Sequence, residues 1–182
     1  MVKLPVRFNP ARLLADDQAY FAEPAVAHFK RFAQGLADDE GQVDLRLRFV
    51  RDGDGHVVAQ GQFEVACQLQ CQRCMTPYNE TFGGRFSLTF VSDEAAAEAL
   101  PEALDPVILD EHGHIHVVDM IEDELILAMP VVPRHEDIAE CLAAGYAPVN
   151  ETDDLDAPEV SGASGREREN PFAALKHLTK ND

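Results

Sequence analysis

Val43-Asp44-Leu45-Arg46-Leu47-Arg48-Phe49 alternates apolar and charged residues without a break, and a period of two puts four apolar side chains on one face of an extended strand. Asp52-Gly53-Asp54-Gly55 follows. Gly and Asp tolerate the positive φ of tight turns, so the chain reverses there into a hairpin. The turn is acidic but lacks the later ligands and the glutamate of an EF-hand loop, which favours a hairpin over a calcium site. The return strand keeps the alternation, with Val57, Ala59, Gly61, Phe63, Val65, Cys67, Leu69 and Cys71 on one face and Gln60, Gln62, Glu64, Gln68 and Gln70 on the other. Fifteen residues from Val57 to Cys71 is long for a strand and predicts a bulge or bend near Gly61. A third strand places Phe82, Gly84, Phe86, Leu88 and Phe90 inward, and Thr81, Arg85, Ser87 and Thr89 outward. Residues 42–91 therefore predict a three-stranded antiparallel meander with one apolar face.

Such a face must be covered, and helical patterns flank it. Pro24, then Val26, Phe29 and Phe32 at helical spacing, then Gly35 as a stop, describe a short amphipathic helix. A second helix begins near Asp119, with Glu122 placed to complete a capping box. Val118, Ile121, Leu125 and Ala128 form its apolar stripe, and Pro130 and Pro133 end it. The crowded carboxylates Glu122, Asp123 and Glu124 read as solvated partners of the helix dipole rather than as a catalytic cluster. The predicted class is α+β: an antiparallel meander with flanking short helices in residues 1–149. Residues 150–182 read as a flexible acidic tail, poor in large apolar residues until Asn170-Pro171-Phe172-Ala173-Ala174-Leu175, which suggests a short terminal helix.

The net charge of −18 is unevenly spread: residues 92–149 hold one basic residue against fourteen acidic ones, whereas residues 1–91 are nearly neutral. The acidic segment repels nucleic acid and suits a basic protein partner. Its alternative role is solubility. No apolar run approaches the ~20 residues needed to span a bilayer, and the start lacks the apolar core of a signal peptide, so the expected location is cytoplasmic.

Three of the four cysteines fall in Cys67-Gln68-Leu69-Gln70-Cys71-Gln72-Arg73-Cys74. Cys67 shares the inward face and reads as a core residue. Cys71 and Cys74 lie on the reversal between the second and third strands, with the spacing that lets two thiolates hold one Zn2+ from a turn. His135 and Cys141, beyond the helix-stopping prolines, supply an imidazole and a third thiolate. The four would close a tetrahedral structural site tying the sheet to the segment after the second helix. The alternatives are a redox pair, which should open a helix rather than close a strand, and ordinary thiols. His112, His114 and His116 alternate but flank Gly113, and read as a solvent-facing hairpin.

Enzyme signatures are otherwise absent: there is no phosphate-binding glycine loop, no Gly-x-Ser-x-Gly elbow and no His-Glu-x-x-His helix. Arg46, Arg48 and Arg85 fall on the polar sheet face, a second route to partners through direct contact with an RNA backbone. The strand phenylalanines are expected on the opposite face, leaving that route without a stacking platform.

Three motifs occur in order: Leu69-Gln70-Cys71-Gln72-Arg73-Cys74, then Glu124 to Pro133 reading Glu-Leu-Ile-Leu-Ala-Met-Pro-Val-Val-Pro, then Asn170 to Leu175. In combination they resemble the YceD family, the large ribosomal RNA subunit accumulation proteins, over nearly the whole chain. The resemblance implies a bacterial cytoplasmic protein, with plastid relatives, needed for the synthesis, processing or stability of 23S rRNA. It carries no catalytic residues. It also implies a second cysteine pair after Pro-Val-Val-Pro, where this chain offers His135 and Cys141. The leading expectation is a non-enzymatic ribosome-biogenesis factor that binds a basic ribosomal protein or large-subunit precursor. The alternative class is a zinc- or thiol-dependent enzyme acting on RNA or disulfides.

Overall fold

In the computed structural model, which describes residues 6–13 and 19–148, the alternating stretches form the middle of a five-stranded sheet. In chain order the elements are β1 (Arg7–Phe8), α1 (Pro10–Leu13), β2 (Ala19–Ala22), a 3-10 turn (Val26–His28), α2 (Lys30–Ala33), β3 (Gln42–Arg51), β4 (Val57–Gln70), β5 (Pro77–Val91), α3 (Glu94–Glu98), β6 (Asp105–Ile108), β7 (Ile115–His116), α4 (Val117–Ala128) and α5 (Ile138–Ala143). The sheet order is β2-β3-β4-β5-β6; the first four are antiparallel, and β6 returns parallel to β5 after α3. β1 and β7 form a separate antiparallel pair. The class is α+β, with the β3-β4-β5 meander as the sequence predicts. Residues 149–182 lie outside the described residues, and with them the acidic linker and the Asn170–Leu175 motif.

The period-two pattern becomes burial. Val43, Leu45, Leu47, Val65 and Leu69 are almost completely buried, and Phe32, Ile121 and Leu125 close over them from α2 and α4. Phe8, Phe49 and Phe90 meet edge to face or tilted, with centroids 4.7 to 6.4 Å apart, so the short strand β1 is held through one aromatic side chain.

Four local expectations are corrected. No bulge interrupts β4, which pairs in continuous register with both neighbours through Gly61. Gly61 instead leaves room for the Phe86 ring, with which any Cβ there would collide. The helix expected from Pro24 to Gly35 is broken into the 3-10 turn and α2, although Val26, Phe29 and Phe32 are all buried. Thr89 keeps the outer face with Arg85 and Ser87 but is buried rather than solvated, because α3 packs against β5 and β6 at that end of the sheet and Val58 and Val91 are buried there too.

The fourth correction concerns Glu122. α4 starts at Val117 with no side-chain cap, so there is no capping box, and Glu122 is buried at 3% exposure. Its carboxylate accepts from the backbone N–H of Arg31 at 2.6 Å and of Phe32 at 3.3 Å, and from Arg31 Nε at 2.6 Å. The entry residue of α2, Phe29, has no capping side chain of its own. Glu122 therefore caps a helix other than the one it sits on. Burial pushes this carboxyl upward, but the Arg31 guanidinium and the two N–H donors outweigh it and leave the pKa below its ordinary value. Asp123 adds a second, exposed contact to Arg31 at 2.8 Å.

Candidate metal centre

The turn after β4 is built to hold sulfur. Cys71 N–H donates to Thr76 O at 3.0 Å and Met75 N–H to Cys71 O at 2.8 Å, closing the loop tightly enough that Met75 takes a positive φ of 61°. The backbone N–H of Arg73 points at Cys71 Sγ, 3.4 Å away. After α4 the chain leaves through Pro130 to Pro133, and Gln72 N–H donates to Pro133 O at 2.8 Å. That bond places His135 over the turn, where its ring stacks obliquely on Tyr78 with centroids 4.9 Å apart. Asp137 caps α5 by accepting from Ala139 N–H at 2.8 Å, and α5 carries Cys141 inward.

Cys71, Cys74, His135 and Cys141 thus converge, with one ligand atom from each lying within 4.8 Å of the others. Cys71 Sγ and Cys141 Sγ are 3.8 Å apart; His135 Nδ1 is 3.4 Å from Cys74 Sγ and 3.5 Å from Cys141 Sγ. A tetrahedral Zn2+ with ordinary bond lengths requires edges of about 3.8 Å between sulfurs and about 3.5 Å between sulfur and nitrogen. The donor set fits a four-coordinate metal ion of this kind. Glu140 Oε2 stands 3.7 Å from His135 Nε2, an exposed carboxylate beside the ring but beyond hydrogen-bond length.

The electrostatics favour thiolate at Cys71 and Cys74 and oppose it at Cys141. Burial pushes the Cys71 thiol up, but backbone N–H groups of Cys74, His135 and Arg73 outweigh it and hold it at about 5. A hydrogen bond from Thr76 lowers Cys74. His135 is raised, first through its hydrogen bond with Cys71. Cys141 is raised by burial, despite Arg73 Nη1 lying 3.6 Å from its sulfur. Cys67 stands apart: buried in the core, its thiol is pushed up to about 11 by burial, as suits a small apolar residue.

The other candidate groups are accounted for locally. Asp52 accepts from the N–H groups of Asp54 and His56 and from His56 Nδ1, so the acidic turn satisfies itself. Asp110 takes the N–H groups of His112 and His114 and pairs with Arg7. The histidine hairpin is thereby a turn organised by one carboxylate. That carboxyl is held at about 2, first by the His114 N–H.

Arg46, Arg48 and Arg85 do share the outer face, since register places Arg46 and Arg85 on either side of Gln62, and Arg48 beside Gln60. One expectation about that face fails. β2, too short to show periodicity, joins the sheet beside β3 and turns Phe21 outward at 56% exposure, directly opposite Arg46. An aromatic side chain does stand among the arginines.

Known proteins resemble this chain at sequence level. The family described as "Large ribosomal RNA subunit accumulation protein YceD" matches residues 59–179. The Haemophilus influenzae (strain ATCC 51907 / DSM 11121 / KW20 / Rd) protein of that name is 31% identical over 181 residues, covering 97% of each chain. No solved structure matches.

Proposed function

The chain belongs to the YceD family of large ribosomal RNA subunit accumulation proteins, and from that premise we propose that it is a non-enzymatic cytoplasmic factor supporting accumulation of 23S rRNA. The observation that carries this reading is a family relationship spanning nearly the entire chain. The partner is a basic ribosomal protein, free or on a precursor particle. Glu94 and Glu98 on α3, with Glu102 and Asp105 leading into the edge strand β6, are exposed and form no ion pair among the described residues. Negative charge also accumulates around Glu124, whose pKa is raised, first by burial and then by Asp105. A cationic partner relieves that repulsion and is steered to it. Among the described residues no helix is long and apolar enough to cross a membrane.

In this reading the cluster of three cysteines and His135 holds one Zn2+ as a clasp between the sheet and α5. Four protein donors leave no position for a water nucleophile, and Cys71 and Cys141 are fully buried, which leaves the half-buried Cys74 without an accessible partner thiol in the cluster for disulfide exchange. Both points disfavour the alternative of a zinc- or thiol-dependent enzyme. Pull-down of the tagged full chain at low and high salt, with and without nuclease, tests the partner. A basic large-subunit protein should survive nuclease, fall away at high salt and be lost when Glu94, Glu98 and Glu102 are changed to Lys. Association that nuclease abolishes and charge reversal leaves untouched contradicts it.

A further inference from the structure

We propose that the outer sheet face around Phe21 binds a short segment of single-stranded RNA, with a base stacked on the Phe21 ring and flanking phosphates on Arg46, Arg48 and Arg85. The choice of RNA rests on the family reading above; the site itself is read from the geometry.

Two cross-strand rows build the face. Phe21, Arg46, Gln62 and Arg85 lie side by side on β2 to β5, and Ala19, Arg48, Gln60 and Ser87 form the next row. Between them runs a groove of about 370 Å³. The Arg46 guanidinium lies over the Phe21 ring, 6.0 Å from its centre, so a base stacked on the opposite face would meet an aromatic plane backed by a cation. Arg48 is oriented by Gln60 Oε1, at 3.0 Å from Nε and 2.6 Å from Nη2. That partner is a neutral amide, which leaves the charge uncompensated.

The disposition of charge separates this face from the rest of the surface. In a chain with a net charge of −18, cations are scarce. Arg7 and Arg31 are used in ion pairs and Arg73 lies on Cys141; Lys30, Arg51 and Arg134 form no ion pair among the described residues, and neither do Arg46, Arg48 and Arg85, which stand together on this face. Three uncompensated guanidinium groups around an exposed aromatic ring complement a ligand that is anionic and also offers flat apolar faces. A single strand does both; a duplex hides its base faces in the stack and cannot use Phe21. Gln60 and Gln62 offer amides to base edges. The following row, Asp44 beside Glu64, is acidic and repels phosphate, which limits the footprint to a few nucleotides.

Fluorescence anisotropy of the full chain with a labelled oligouridylate of about twelve nucleotides tests this at about 50 mM salt. Binding should weaken with a log–log salt slope of about −2, the value for three phosphates on a single strand. Phe21→Ala should weaken it at least about fivefold. Arg46→Gln with Arg85→Gln should weaken it at least about tenfold and flatten the slope to about −0.7, with thermal melting unchanged because all three residues lie at the surface. Absence of binding at 0.5 mM protein, indifference to Phe21→Ala, or equal affinity for duplex RNA overturns the proposal. So does full displacement by a polyglutamate peptide from a Phe21-independent site, which marks the face as a dock for acidic protein. Failure here leaves the dependence of rRNA accumulation on the gene intact, whereas failure of the family reading leaves oligonucleotide binding intact, so the two are separable.

Discussion

Two polar clusters each join parts of the chain that are far apart in sequence. Midway along α4, Glu122 takes two backbone N–H groups and the Arg31 guanidinium; beyond the C-terminal end of α4, three sulfurs and an imidazole face one another across 3.4 to 3.8 Å. The first is complete, because every acceptor lone pair in use meets a donor and the negative charge meets a positive one. The second gathers electron pairs on one point, and its hydrogen-bond donors compensate only part of the charge. Complete clusters stabilise by their own contacts, whereas in the proposed reading the second is stabilised by a cation at its centre.

The largest effect should come from breaking the second cluster. Cys71→Ser in the full chain is expected to cut zinc from about one equivalent to below about a tenth and to lower Tm by roughly 10 °C or more. Metal analysis and calorimetry on protein purified without chelator read both numbers. A variant with wild-type Tm would make the cluster a group of ordinary thiols and end the contrast.

Breaking the first cluster should cost less and leave the metal alone. Glu122→Ala is expected to destabilise by about 2 to 3 kcal/mol, since Arg31 can turn to solvent but the α2 N–H groups lose their acceptor. Denaturant titration checks this, with zinc content unchanged. The same contact carries a pH dependence of fixed sign. Because the folded pKa of Glu122 is depressed from its ordinary 4.5, its contribution is complete above that value and is lost as pH falls through the folded value. The stability gap between wild type and Glu122→Gln should therefore narrow in acid, and a gap that widens there contradicts the assignment.

The smallest effect belongs to Cys67, four residues upstream of Cys71 and chemically unrelated to the cluster. Cys67→Ala should cost about 1 kcal/mol of packing and leave zinc stoichiometry unchanged. Loss of metal from that variant would bring Cys67 into the site.

These two clusters also mark where sequence was readable. Spacing alone pairs Cys71 with Cys74, and the strand pattern puts them on a turn; His135 and Cys141 follow because few other soft ligands exist and prolines release the chain near them. The Glu122 contact has no local signature. A carboxylate in the first turns of a helix reads as a solvated dipole partner, and only the docking of α2 onto α4 reveals that it caps a neighbour. The same holds for Phe21, which sits in a four-residue strand whose identity depends on pairing with β3 rather than on any period of its own. The meander was legible because one buried face repeated every second residue over three long strands. β6 and β7 were not, being short segments defined by their partners.

The reading of the chain as an rRNA accumulation factor is tested most directly in cells, by the ratio of large-subunit to small-subunit rRNA after the gene is removed and after it is restored. The account predicts a lowered ratio that returns with the wild-type chain. A ratio unchanged by removal would contradict it.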